Sequence, residues 1–140
     1  MKKCIILIFL LFFLTSCSAS NSSHIVINNE KINIEIADTD KLRYNGLSNR
    51  DELCKNCGML FTWEDKLERT FVMRDMNFSL DIIFINDDKI INISKNAVPE
   101  GSDYKIKYSS ELPVNYVLEV NAGFCDKNNI KEEDNIKIKL

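Results

Sequence analysis

Histidine is nearly absent from this chain: His24 is the only one in 140 residues. No Ser-His-Asp or Cys-His catalytic set can be assembled around it. Glycine is scarce, four in all, which leaves no glycine-rich loop to cradle a phosphate. Proline is scarcer, at two. Pro113 marks a strand entry, because proline is kept out of the middle of a sheet. Positive charge is not in excess: 18 Lys and Arg stand against 21 Asp and Glu, a formal charge of −3. A chain without a basic stripe is a poor partner for nucleic acid or for anionic lipid headgroups. No internal repeat is visible.

What is present begins with an address. Met1-Lys2-Lys3 is a basic n-region, and residues 4–14, CIILIFLLFFL, form an apolar run too short for a comfortable membrane span. Leu14-Thr15-Ser16-Cys17 follows. A small residue before a cysteine, directly after such a run, resembles the bacterial lipobox. The resemblance implies cleavage before Cys17 and lipidation of its thiol, which would hold the protein to a membrane. Residues 1–16 therefore read as a lipoprotein signal peptide. Residues 17–30 read as the lipidated cysteine and a flexible tether, since SASNSSH is small and polar. Residues 31–140 read as one globular domain. Removing Lys2 and Lys3 with the leader takes the formal charge from −3 to −5.

Cys4 leaves with the leader and Cys17 is spent on lipid. Cys54, Cys57 and Cys125 remain, an odd number for an exported protein. At most one internal disulfide forms, and the leading expectation joins Cys125 to Cys54 or Cys57. Free thiols, half a zinc site and a redox Cys-x-x-Cys stay open.

The domain reads as mostly β. Residues 31–37 alternate with Ile32, Ile34 and Ile36 on one face. Asp38 is a candidate N-cap for a short helix over 41–47. Met59–Phe61, Arg69–Met73, Leu80–Ile85, Lys89–Ser94, Tyr104–Ser109, Tyr116–Val120 and Asn135–Leu140 read as strands. Residues 62–68 read as a charged loop, 80–94 as a hairpin around Asn86-Asp87-Asp88, and 122–129 as a short helix. The expected class is α+β, mostly β: a small barrel-like or two-sheet antiparallel domain with one or two short helices.

Everything is organised around residues 58–85. The run Leu80-Asp81-Ile82-Ile83-Phe84-Ile85 is a buried strand with one acid inside it, where an unpaired charge is costly. Asp81 therefore needs donors. Arg74, the amides of the 75–79 loop and Arg50 are the candidates. Arg50, Arg74 and Asp81 form the candidate polar site, as a ligand site or as a structural one. Met59, Met73 and Met76 are soft ligands by type, but methionine more often packs cores. Trp63, Phe71 and Phe78 read as filling of the barrel. No metal site and no cofactor are assigned.

The series Ala37-Asp38-Thr39, Gly46-Leu47, Arg50, Gly58-Met59-Leu60-Phe61, Phe71-Val72-Met73-Arg74, Leu80 to Ile85, Pro99, Tyr116 to Val120 and Ala122-Gly123 resembles the domain of unknown function 192 family. The match runs over about residues 32–140 in the family's order. Val72 stands where the family has Trp, Arg74 where it has Lys, Asp75 where it has Asn, and Ser79 where it has Pro. Glu133-Asp134 replaces its late Gly-Asp. The resemblance implies a compact β-rich domain, often exported, with no agreed activity.

The leading expectation is a lipid-anchored protein of the bacterial cell envelope. It would be a monomer and non-catalytic, binding a small molecule or supporting another envelope protein. An envelope enzyme using Asp81 with arginines on an anionic substrate is the second reading. A thiol or soft-metal module using Cys54, Cys57 and Cys125 is the third.

Overall fold

The computed structural model describes residues 23–140. The strands are β1 (His24–Ile27), β2 (Glu30–Ala37), β3 (Cys57–Leu67), β4 (Thr70–Phe71), β5 (Leu80–Asn86), β6 (Lys89–Ala97), β7 (Tyr108–Ser109), β8 (Val114–Asn121) and β9 (Ile136–Lys139). The helices are α1 (Asp40–Asn45) and α2 (Phe124–Lys127). Seven strands form one curled sheet in the order β6-β5-β8-β3-β2-β1-β9, and β4 and β7 form a small second one. The mostly β, α+β class expected from the sequence is the one observed.

Strand alternation sorts the apolar residues into two clusters, one for each face of the sheet. The first takes Ile25, Ile32, Leu60, Ile83, Ile90, Leu118 and Ile136, one from each of the seven strands. Only the inside of a curled sheet can gather side chains from every strand. Its two edges meet where Lys89 bridges Asn135 and the Ile136 amide donates to the Asp88 carbonyl at 2.7 Å. Phe124, Cys125 and Ile130 of α2 and the turn after it plug this interior. The second cluster lies on the outer face of β3, β5 and β8, with Met59, Phe61, Ile82, Phe84 and Val117. It is covered by Leu47, Met73 and Met76, and by the half-buried Leu53, Phe71 and Phe78.

One pairing departs from the antiparallel expectation. β2 runs parallel to β3, from Asn33 opposite Cys57 to Ala37 opposite Phe61. Parallel neighbours need a long crossover, and α1 with residues 46–56 supplies it. That crossover lies over the outer face, and the cavity described below forms beneath it.

Other elements differ in extent. Residues 24–30, expected as tether, hold β1 and the turn into β2. Ile25 and Ile27 are fully buried there, and Asn28-Asn29 turns the chain with both residues at positive φ, which asparagine tolerates. Residues 1–16, expected as a leader, Cys17 and residues 18–22 lie outside the described residues. β3 continues through the stretch expected as a charged loop, pairing Thr62 with Tyr116 and, after an irregularity, Leu67 with Val114. Thr39, rather than Asp38, caps α1; its Oγ accepts from the Leu42 amide at 3.3 Å. The 104–109 strand shrinks to β7.

Two glycines set close approaches. Gly46 ends α1 at a φ of 48°, and a Cβ there would lie 3.4 Å from the Phe61 ring. A Cβ on Gly58 would stand 2.8 Å from the Glu119 carbonyl oxygen and 2.9 Å from Leu118 Cδ1. β3 and β8 need that glycine to pair as closely as they do.

Candidate functional site

The three residues expected to form one polar site are held apart. Asp81 faces the barrel interior and is fully buried. Its partners are not Arg74, Arg50 or the 75–79 loop. Oδ1 accepts from the Asn96 amide at 2.9 Å and Oδ2 from the Cys125 amide at 3.0 Å. Both donors follow from local backbone geometry. The register between β5 and β6 shifts opposite Asp81, and Asn96 sits there at a φ of 53°, so the bulge turns its amide inward. α2 begins at Gly123, which has no side chain to cap it. Asp81 reaches across from β5 and satisfies an amide of that first turn. The carboxylate thus ties the β6 bulge to the plug of the barrel.

Arg50 lies on the surface and pairs with Glu35 through two bonds of 2.7 and 2.8 Å. This fork holds the Glu35 carboxyl below its usual range. Arg74 sits elsewhere, stacked over the Tyr44 ring at 4.0 Å and donating to the Tyr44 carbonyl at 2.5 Å.

The cysteines also part from expectation. Cys54 and Cys57 are joined to each other, with Cα atoms 5.1 Å apart. Cys125 is free and buried. It stands on the barrel plug beside Asp81, apart from Cys54 in its exposed turn and Cys57 at the start of β3. Burial and the Asp81 carboxylate push its thiol up from the usual range, so it is not a nucleophilic thiolate. Met59, Met73 and Met76 all pack in the outer cluster. Among the described residues no three His, Cys, Asp or Glu side chains stand together as metal ligands would.

One residue the sequence reading passed over is placed more tellingly. Glu119 lies in the centre of β8, between Met59 of β3 and Ile82 of β5 on the apolar outer face. It is 5% exposed. No hydrogen bond or ion pair reaches its carboxyl from any described residue. Burial alone pushes that carboxyl up to about 8. It lines a cavity of about 320 Å³ between the crossover and the sheet, together with Leu47, Phe61, Trp63, Phe71 and Met76. Phe71 stands edge-on to Phe61 at 4.8 Å and to Trp63 at 6.4 Å. Trp63 and Phe71, expected as filling, are packed against the core and line this space as well.

The cations at the rim are mostly engaged; among the described residues the buried Nε of Arg69 has no hydrogen-bond partner. Arg43 donates to the Asp38 and Thr62 carbonyls and to Asp40, each at 2.7 Å, and lies 5.4 Å from the Trp63 ring. Arg69 covers another part of Trp63 at 4.4 Å and is paired with Asp65. Asp75 approaches Arg74 at 3.8 Å. The rim is therefore built and charged, while the floor carries a carboxyl with nothing to meet.

A family model for the domain of unknown function 192, described as an uncharacterized ACR, matches residues 23–138. The chain belongs to this family. Two solved structures are similar to it. One is a Sinorhizobium meliloti 1021 protein provisionally described as a transcription regulator. It is 28% identical, with a TM-score of 0.75, over 83% of this chain and 91% of that one. The other is a protein of unknown function from Novosphingobium aromaticivorans DSM 12444. It is 30% identical, with a TM-score of 0.74, over 83% of each chain. No curated protein matches significantly. The family contributes a fold and no reaction, so the chemistry rests on the site. A signal for Glu119 was present in Leu118-Glu119-Val120, an acid inside an apolar strand just as Asp81 is. What the sequence lacks is the pairing that puts β8 between β3 and β5 and so buries both of its faces.

Proposed function

We propose that this chain is a lipid-anchored protein of the bacterial cell envelope whose domain binds a small molecule without catalysis. The address supports the first half: a basic start, a short apolar run and a small residue before Cys17. The observation that carries the second half is Glu119. A buried polar group without a partner costs free energy, and here it lines a cavity with aromatic walls. Small-molecule sites are mostly apolar concavities of ~300–1,000 Å³ with a few aimed polar groups, and this one is at the small end. Nucleic acid is a poor candidate, because acids outnumber bases and no basic stripe is present. The transcription-regulator description belongs to the Sinorhizobium relative.

A fragment library screened by ligand-observed NMR against the full chain tests the binding half. Hits should bind the native protein and be lost in Val72→Trp, which fills the cavity that Val72 lines. Hits indifferent to that change would remove the cavity from the account. Metabolic labelling with a fatty acid tests the anchor: Cys17→Ala should abolish incorporation, and unchanged labelling would contradict it.

A further inference from the structure

The charged and titratable groups facing the cavity are Asp40, Arg43 and Tyr44 from α1, Arg74 from the segment after β4, and Glu119 from β8. β3 and β4 present Phe61, Trp63, Thr70 and Phe71, none of which titrates. Arg43 is matched by Asp40 and two carbonyls. Arg74 is held by the Tyr44 carbonyl, the Tyr44 ring and Asp75. Among these groups the Glu119 carboxyl alone has no partner. A positive charge or strong donor at the floor is the complement its ionised form needs.

An anion fits less well. Of the lining cations it would have to take Arg43 or Arg74 from contacts they already make; Arg69, whose buried Nε has no hydrogen-bond partner, does not line the cavity. An anion would also meet Glu119 as a like charge whenever that group ionises. The ammonium of a ligand would also not settle on Trp63, because Arg43 and Arg69 already lie over that ring. It is left to the carboxyl, with the rings of Phe61 and Phe71 for the apolar body of the molecule.

We infer that the cavity takes a small organic amine, its ammonium seated on the Glu119 carboxylate and its apolar body against Phe61, Phe71 and Met76. This rests on the reading of the cavity as a ligand site. Because burial keeps the empty carboxyl protonated up to about 8, binding exchanges a proton for the ammonium: the O–H bond of Glu119 breaks, its proton passes to buffer, and the carboxylate forms the ion pair. As pH rises toward the Glu119 midpoint, affinity then climbs by about tenfold per unit, and it levels off above the midpoint.

Isothermal titration of the full chain in detergent, with benzylamine as the probe at pH 6, 7 and 8 and in buffers of different protonation enthalpy, tests this. Benzyl alcohol and benzoate serve as uncharged and anionic isosteres. The expected result is benzylamine binding that tightens about tenfold per pH unit and releases close to one proton at pH 7. Glu119→Gln, with its melt checked, should lose the pH dependence and most of the affinity. Preferential binding of benzoate or benzyl alcohol, sensitive to Val72→Trp, would overturn the amine assignment and leave the cavity reading standing. No binding of benzylamine at any of these pH values would overturn the amine assignment too. Fragment hits displaced by Val72→Trp would still support the cavity in that case, and their absence would remove both.

Discussion

Glu119 and Asp81 stand on neighbouring strands and face opposite sides of one sheet. Each is buried, yet they are stabilised differently. Asp81 accepts two amides, whereas Glu119 accepts nothing and is pushed up to about 8 by burial. The consequence for stability has a definite sign. Between the unfolded value of 4.5 and about 8, the folded state keeps a proton that the unfolded state has lost. Stability from this group is full below that window and falls as pH rises through it. The total is on the order of 3 kcal/mol by pH 7. Glu35, held low by Arg50, acts in the opposite sense and only at acid pH. The melting temperature should therefore decline from pH 5 to pH 8, and Glu119→Gln should flatten that decline. An unchanged slope in the variant would assign the effect elsewhere. For Asp81, replacement by Ala leaves the buried Cys125 amide and the part-buried Asn96 amide without acceptors and should destabilise by roughly 1–4 kcal/mol. Asn keeps one acceptor and should cost about half as much, as read by denaturant melts. Burial of Asp81 and its need for donors were legible in Leu80 to Ile85. The donors themselves were not, because a strand bulge and a helix start some 15 and 44 positions away in sequence leave no local mark.

Among the elements, hairpin β5–β6 and the alternating β2 and β9 were legible, since period two and a tight Asn-Asp-Asp turn are local signals. β1 was not: HIVI is only four residues, and the polar stretch before it masks the start. The charged second half of β3 was read as loop for a similar reason, because its partner strand, not its own pattern, keeps it extended. The Cys54–Cys57 bridge closes a very short loop that Asn121 also holds, donating to the Leu53 and Cys54 carbonyls at 3.0 Å each. Its loss should cost only about 2 kcal/mol by chain entropy. Cys54→Ser with Cys57→Ser should still fold cooperatively, and mass spectrometry of unreduced native peptides should show these two cysteines linked and Cys125 free. A linkage to Cys125 would require the plug of the barrel to be rebuilt. Gly58→Ala places a methyl within 3 Å of the Glu119 carbonyl and should destabilise more than Gly101→Ala, whose Cβ would meet nothing within 4 Å.

At the scale of the molecule, one barrel interior and one covered outer face share a single sheet. The class and the family were legible from apolar periodicity and from motifs spread through the chain. The cavity was not, because it belongs to a crossover that exists only once β2 and β3 pair in parallel. A chain beginning at Ser23 retains every described element and should melt in one cooperative transition; an absent or aggregating transition would deny that residues 23–140 are self-contained. The claim on which the rest turns is that a carboxyl waits, protonated and unpartnered, under that crossover. Carbon-detected NMR of the Glu119 side-chain carboxyl across pH, assigned by loss of its signal in Glu119→Gln, measures it directly. A single midpoint near 8 is expected, falling when an amine occupies the cavity. A midpoint in the ordinary range of an exposed glutamate, near 4.5, would contradict it.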